Sequence, residues 1–453
     1  MATRSQPSIR DSTASVAERK FTPPASDADA PRINDSGGRS GVGSLRTFES
    51  LSIAPFRWFL LAMLGQFGAS NMQMLASGYL VFDLTGSFAA LGAISLASAI
   101  PMFAFSPIGG VLADRLPRKT VLQVGQLMSG LIAAGVAALL FLDVLTFTHL
   151  LISAGLQGMV WATMMPARQA MIPDVVGERL LMNAVALNTA GMNVMRLAAP
   201  GLGGLLIAAF GASWAYSLMA GGFLFAAVTL SRVPMKPAAV SNSEEGSKIS
   251  VAATARRSMT EFREAMSYIA GEERVRVVLI ANFVIVLFSM PYMMLLPGFV
   301  ADVLDAGPDK LGLLMTLTGL GSVVGSLMIA SMPSRNRGKI LLGSSVLLGV
   351  SLIAFTLSRS LALTAVLMIP IGLGQTGRMS LSNVLLQAYV DDVYRGRVMC
   401  VYMMEFSIVS FGVFAVGLLS AVIGVDWAIG MTAVGLTIVA SAGFLTHHLR
   451  DLD

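Results

Sequence analysis

Charge, cysteine and histidine are scarce in this chain of 453 residues. Charged residues make up 13% of it, about half the roughly 25% of an ordinary soluble domain. That deficit excludes a coiled coil, a disordered protein and most soluble enzymes. A single cysteine, Cys400, permits no intrachain disulfide and no cysteine metal cluster. His149, His447 and His448 are too few and too scattered for a histidine metal site. Neither histidines nor acids cluster as an integral membrane enzyme would need. No Gly-x-x-x-x-Gly-Lys-Ser/Thr stretch is present, so an ion gradient, of protons or sodium, is the expected energy source. No catalytic residue, metal or cofactor is expected. What the chain has in abundance is apolar: 55% of residues are hydrophobic and the mean hydropathy is +0.73. With so few charges, a net +5 does not suit a nucleic-acid binder. The class implied is a polytopic protein of the lipid bilayer.

The first ~50 residues, rich in Ser, Pro, Asp, Arg and Gly, cannot bury enough surface to order themselves and read as a disordered cytoplasmic tail (residues 1–50). They contain no apolar core of a signal peptide. From Phe56 onward, apolar runs long enough to cross ~30 Å of hydrocarbon recur. Twelve are placed, at about 56–80, 88–112, 119–142, 147–167, 181–209, 213–233, 276–300, 309–332, 338–357, 361–388, 397–424 and 426–447. A polar break at 234–275 separates six-span segments 51–233 and 276–453. Within that break Phe262, Met266 and Ile269 share a helical face, with Arg256, Arg257 and Arg263 around it. This predicts a helix lying in the cytoplasmic interface or, alternatively, a solvated linker helix.

Cation placement tests the list. With the N-terminus inside, 27 of the 31 lysines and arginines fall on the inner side. The outer breaks hold Asp83, Asp143, Asp302, Asp305, Asp309 and Asp426 instead. The positive-inside asymmetry then puts both termini in the cytoplasm. A shift of one span would scramble it.

Two six-span halves are one way of building a secondary transporter that rocks around a midplane site. After span two comes Gly110-Val-Leu-Ala-Asp114-Arg115-Leu-Pro117-Arg118-Lys119. This string resembles the loop motif of the major facilitator superfamily, with Pro117 in place of the commoner Gly. The resemblance implies an all-α fold of twelve transmembrane helices, with Asp114 capping the start of span eleven at Arg395-Gly396-Arg397 to close the cytoplasmic side. A merely topogenic basic loop is the plainer alternative. A second string runs through Pro166-Ala-Arg168-Gln169-Ala-Met-Ile-Pro173-Asp174, Asn183-Ala-Val-Ala-Leu-Asn188 and Arg196-Leu-Ala-Ala-Pro200-Gly-Leu-Gly203-Gly204. It is similar to the branch of enterobactin-type siderophore exporters, macrolide efflux pumps and drug:proton antiporters. Pro200, Gly203 and Gly204 match the last third of the span-five motif associated with antiport. They would thin the helix so that the halves seal, or serve only as a packing kink. Gln387-Ala-Tyr389-Val390-Asp-Asp392-Val-Tyr394-Arg395-Gly396-Arg397-Val-Met resembles the same branch before span eleven.

Ionisable groups inside spans are functional suspects by default. Arg196 lies about 24 Å into span five, counting ~1.5 Å per residue. It reads first as an interface anchor on backbone carbonyls or the facing helix, and second as a substrate or proton group. Arg378 lies in the cytoplasmic half of span ten. Glu405 is the one acid interior to any span. Burial disfavours the charged form of a carboxyl, which makes it the candidate proton carrier, with a static structural partner as the alternative. In span four, Gln157-Gly158 matches an antiporter motif whose Arg is replaced by Ala154, so that proton relay does not carry over. Polar residues on otherwise apolar spans, Gln66, Asn71, Gln73, Gln157, Trp161, Asn282 and Gln375, are cavity candidates or interhelical hydrogen bonds. The 29 Met and 23 Phe suit an adaptable pocket for bulky amphipathic solutes.

The expected function is proton-driven export of amphipathic small molecules, drugs or a siderophore, by a monomer in the bacterial inner membrane. Its partners are substrate, protons and lipid. Import of a metabolite or lipid, or a membrane sensor that has lost transport, are the alternatives.

Overall fold

The computed structural model describes residues 46–234, 251–332, 335–450 and 452. The predicted tail therefore lies outside the described residues up to Leu45. Arg46–Ser52 form a short 3-10 helix, which Ser50 ties to Asn183 through its hydroxyl at 2.6 Å.

Helices account for nearly everything else. Ala54–Thr85 (α1), Phe88–Arg115 (α2), Arg118–Phe141 (α3), Phe147–Gly177 (α4), Arg179–Phe210 (α5) and Ala212–Ser231 (α6) make up the first half. Glu273–Asp302 (α7), Pro308–Ser331 (α8), Arg337–Leu357 (α9), Leu361–Tyr389 (α10), Val393–Ile423 (α11) and Val425–Gly443 (α12) make up the second. Among the described residues, eleven helices are long and apolar enough to cross a membrane. The remaining one, α1, has 32 residues and so spans about 48 Å at ~1.5 Å per residue. Gln66, Asn71 and Gln73 lower its apolarity, yet it packs inside the bundle against α4, α5 and α6.

Helix ends are set by local chemistry. Ser87 caps α2 by accepting the Ala90 N–H. Gly211 and Gly424 make the α5–α6 and α11–α12 turns with φ of 89° and 88°, a left-handed region that favours glycine. The same turn at the same place in both halves reflects an internal repeat. Three helices are interrupted. The α4–α5 rod breaks at Gly177, α7 at Met290, just before Pro291, and α11 at Met404, just before Glu405.

One end of the bundle carries Arg118, Lys119, Arg179, Arg335 and Lys339, and the other carries Asp143, Asp302, Asp309 and Asp426. We call them the basic and acidic ends. The two halves touch along α5–α8 and α2–α11, and both seams are tight at the acidic end. A Cβ on Gly204 would meet the Pro308 carbonyl and lie 3.0 Å from the Gly312 Cα. One on Gly92 would lie 2.6 Å from the Phe414 Cα. Ser95 and Ser410 hydroxyls pair at 3.3 Å in the same seam. Toward the basic end these faces part. On α5, Met182, Ala186, Thr189 and Ala190 continue the sealing face but are exposed, as are Phe103 and Ser106 on α2. The cleft between the halves is closed at the acidic end and open at the basic end.

The helix of the central break runs Val251–Gly271. The side chains of Arg256 and Arg257 lie outside the described residues. The face expected at Phe262, Met266 and Ile269 is divided. Ala265 and Ile269 are buried against residues of α7, α10 and α11, whereas Met259, Phe262 and Met266 form an exposed apolar stripe. Protein therefore covers one side of this helix and leaves the other free. Arg397 of α11 pairs with its Glu264 at 2.7 Å, and Tyr268 stacks on Tyr394 at 4.3 Å.

Candidate functional site

Three residues singled out separately by sequence meet inside the second half. Asn282 on α7 donates through Nδ2 to Glu405 Oε2 at 2.9 Å. Arg378 on α10 donates through Nη1 to Asn282 Oδ1 at 2.9 Å. The Arg378 Nη1 lies 3.6 Å from the same carboxylate oxygen. Arg378 and Asn282 are 0% exposed and Glu405 is 3% exposed. Glu405 opens the second segment of α11, where the unsatisfied N–H groups of a helix start favour a carboxylate. The cluster is incompletely satisfied. Arg378 Nε and Nη2, and the Ser382 hydroxyl one turn along α10, have no hydrogen-bond partner among the described residues. Glu405 thus has a cation and an amide for partners among the described residues.

A second set converges at mid-bundle, just below the acidic-end seal. Asn71 and Met74 of α1, Arg196 and Pro200 of α5, Met293 of α7, Met315, Thr318, Gly319 and Ser322 of α8 and Gln375 of α10 line one narrow cavity of about 30 Å3. Gln375 accepts from the Tyr292 hydroxyl at 3.2 Å and donates to the Met290 sulfur at 3.3 Å. Thr318 and Ser322 donate to backbone carbonyls. Arg196 was expected first as an anchor on carbonyls or on the facing helix. It forms neither contact: no hydrogen bond or ion pair involves it among the described residues, and its side chain is exposed to the cleft. Thr316 of α8 donates to the Leu197 carbonyl at 3.0 Å.

The paired glycines face two different neighbours. Gly203 leaves room for Met72 of α1, whose Cγ would be 2.7 Å from an added Cβ, and Gly204 leaves room for α8. Pro200 is buried at the same seam.

The remaining candidates separate. Gln157 donates to Ser129 of α3 at 3.0 Å, an interhelical bond inside the first half, and its Oε1 has no partner. Gln66 is buried with its Oε1 also unpartnered; Gln73 is half-buried. Trp161 lies under Arg168, whose guanidinium carbon is 5.8 Å from that ring and 5.0 Å from the ring of Phe67. Arg168 was counted as a loop cation because span four was ended at residue 167. The helix instead continues to Gly177, carried past Pro166 and Pro173 by apolar Met171 and Val176, both buried. The Arg168 Nη2 donates to the Met165 sulfur at 3.0 Å, and its Nη1 has no partner among the described residues. Trp161, about two turns before it on the same helix, was the available signal.

In the loop after α2, Arg118 pairs with Asp174 at 2.6 Å, while Lys119 caps the end of α6 at the Ser231 and Val233 carbonyls. Both contacts stay within the first half. Gly110 and the side chains of Asp114 and Arg115 lie outside the described residues. The basic start of α11 packs on the helix of the central break; Arg395 there has a partner of its own.

Residues 45–453 match a family described as transmembrane secretion effector. The multidrug efflux pump Tap of Mycolicibacterium fortuitum is 24% identical over 88% of this chain and 97% of its own. The staphyloferrin A transporter of Staphylococcus aureus is 21% identical over 74% and 82%. The enterobactin exporter EntS of Salmonella typhimurium reaches 37% identity over 30% of this chain and 34% of its own. In fold, the chain is similar to the nucleoside transporter NupG, with TM-score 0.67, 13% identity and coverage of 86% and 98%. It is equally similar to an inward-facing, unoccupied bacterial homologue of the lysosomal transporter Spinster, with TM-score 0.67, 14% identity and coverage of 90% and 98%. With twelve helices in two halves around a central cleft, and a match over almost its whole length, this chain belongs to the transmembrane secretion effector family of the major facilitator superfamily and is a multi-pass membrane transporter.

Proposed function

We propose that the protein exports amphipathic small molecules by exchanging them for protons, opening its two ends alternately. Positive-inside placement puts the basic end, and both termini, on the cytoplasmic side of the bacterial inner membrane. The arrangement described above is then the inward-open one, ready to take substrate from the cytoplasm. The efflux pump and siderophore transporters among its relatives support outward movement.

The observation that carries the reading is the Arg378–Asn282–Glu405 cluster. Protonation of Glu405 removes the negative charge that holds Arg378 and frees α11 from α7 and α10. Ser410 and Gly417, which contact α2 in the acidic-end seam, lie on the same helix segment as Glu405. A proton arriving at Glu405 is thereby linked mechanically to the seam that must open to release substrate. Deprotonation restores the pair and the seal. Gly204 and Pro200 let the other seam, α5–α8, close tightly.

Everted membrane vesicles with an imposed inside-acid pH gradient test this reading. Two permanently charged probes share one ring system: 2-naphthalenesulfonate and (2-naphthylmethyl)trimethylammonium. Wild type is expected to accumulate at least one of them, and Glu405→Gln to accumulate neither while remaining folded. Equal gradient-driven uptake by Glu405→Gln would overturn the reading.

A further inference from the structure

Two arginines, Arg196 in the central cleft and Arg168 on α4 toward its basic end, have no acid paired with them among the described residues. Arg196 stands at its closed end, exposed, with no hydrogen bond or ion pair among the described residues. Arg168 stands nearer the basic end, over Phe67 and Trp161, with its Nη1 unpartnered. The two lie in sequence along one face of α1: Phe67 under Arg168, then Asn71 and Met74 in the cavity with Arg196. Positions four and seven residues on from Phe67 advance about 6 and 10 Å at ~1.5 Å per residue. A solute entering from the basic end meets Arg168 first and Arg196 second.

Three other arginines are matched with acids: Arg378 with Glu405, Arg118 with Asp174, Arg397 with Glu264. Glu405, the acid interior to the spans, is committed to its own cluster and buried away from the cleft. The hydroxyls beside Arg196 spend their protons on backbone, and the Gln375 oxygen is taken by Tyr292. Once the cleft closes around it, a guanidinium among methionines is costly unless something supplies an acceptor and a negative charge. Five N–H groups in a planar fork match a carboxylate or sulfonate two bonds at a time. The methionines and Pro200 around it accommodate a ring or alkyl body.

We propose that Arg196, with Arg168 as a relay toward the basic end, forms the binding site for an amphipathic anion, so that the exported molecules are organic acids bearing an apolar body and not lipophilic cations. This rests on the export reading for the direction of movement, but the site and its charge preference stand on Arg196 and Arg168 alone.

Equilibrium dialysis of the full-length protein in nanodiscs, with radiolabelled 2-naphthalenesulfonate and (2-naphthylmethyl)trimethylammonium, tests it. A charge-assisted contact of this kind corresponds to about tenfold or more in affinity. The sulfonate is expected to bind at least about tenfold more tightly than the ammonium. Arg196→Gln should weaken the sulfonate by a similar factor, Arg168→Gln by less, and Arg196→Lys, which keeps the charge but loses the fork, should fall between wild type and Arg196→Gln. Tighter or equal binding of the ammonium by wild type overturns the proposal, whatever the folding of the variants. So does undiminished sulfonate binding by a folded Arg196→Gln. The two readings fail separately. Sulfonate that binds through Arg196 but is not moved by a pH gradient contradicts export and leaves the site. Gradient-driven export of the ammonium with no sulfonate bound contradicts the site and leaves export.

Discussion

Arg378 in the second half and Arg196 in the first are both arginines deep within the bundle, and their surroundings are opposite. Arg378 is fully enclosed, shares Asn282 and Glu405, and is part of the packing between α7, α10 and α11. Arg196 faces the open cleft and touches no acid. On the proposed reading, the paired arginine belongs to the proton switch and the one without an acid to the ligand site, whose cavity is lined by residues of both halves.

The largest expected effect that tests this contrast is on stability. Arg378→Met leaves the Glu405 carboxylate buried without its cation, which costs about 3–5 kcal/mol. Arg196→Gln removes a side chain without protein partners and should stay within about 0.5 kcal/mol of wild type. Unfolding in detergent measures both, and equal losses would erase the distinction. The double variant Arg378→Met, Glu405→Met sharpens it. Replacing a buried pair by apolar residues is often neutral, so stability should return toward wild type while gradient-driven uptake stays absent.

Next in size is the seam. Gly204→Val forces side-chain atoms onto Pro308 and Gly312, an overpacking penalty of about 1–3 kcal/mol on the state closed at the acidic end. Spin labels across α5 and α8 should report longer distances there, and the same labels at the basic end shorter ones. Unchanged distances would mean that Gly203 and Gly204 do not set the closure. The smallest effect belongs to Arg118→Ala. Its bridge to Asp174 is half-exposed on both sides and should contribute under about 1 kcal/mol.

Membrane class, helix positions and the charge of each end were legible in the sequence because each is local: an apolar run or a loop cation declares itself within twenty residues. The close fit of Gly203 and Gly204 was legible as a motif, but their partners, Met72 on one side and Gly312 on the other, were not. The Arg378–Asn282–Glu405 cluster was visible only as three isolated suspects. Its members are 96 and 123 residues apart, and pairing at that distance is decided by how α7, α10 and α11 pack. Arg168 was hidden for the converse reason. Pro166 and the polar residues after it lower local hydropathy, so the helix seemed to end before it. Arg196 was expected to find carbonyls; at its level the donor that reaches a carbonyl across the seam is instead Thr316, at Leu197.

The central claim is that Glu405 carries the proton exchanged for substrate. Proteoliposomes containing a lumenal pH dye, clamped with potassium and valinomycin and preloaded with the naphthyl probe that wild type binds, test it most directly. On dilution, wild type should acidify the lumen as probe leaves, whereas Glu405→Gln should exchange labelled for unlabelled probe with no change in lumenal pH. Acidification by Glu405→Gln at the wild-type rate would contradict the account.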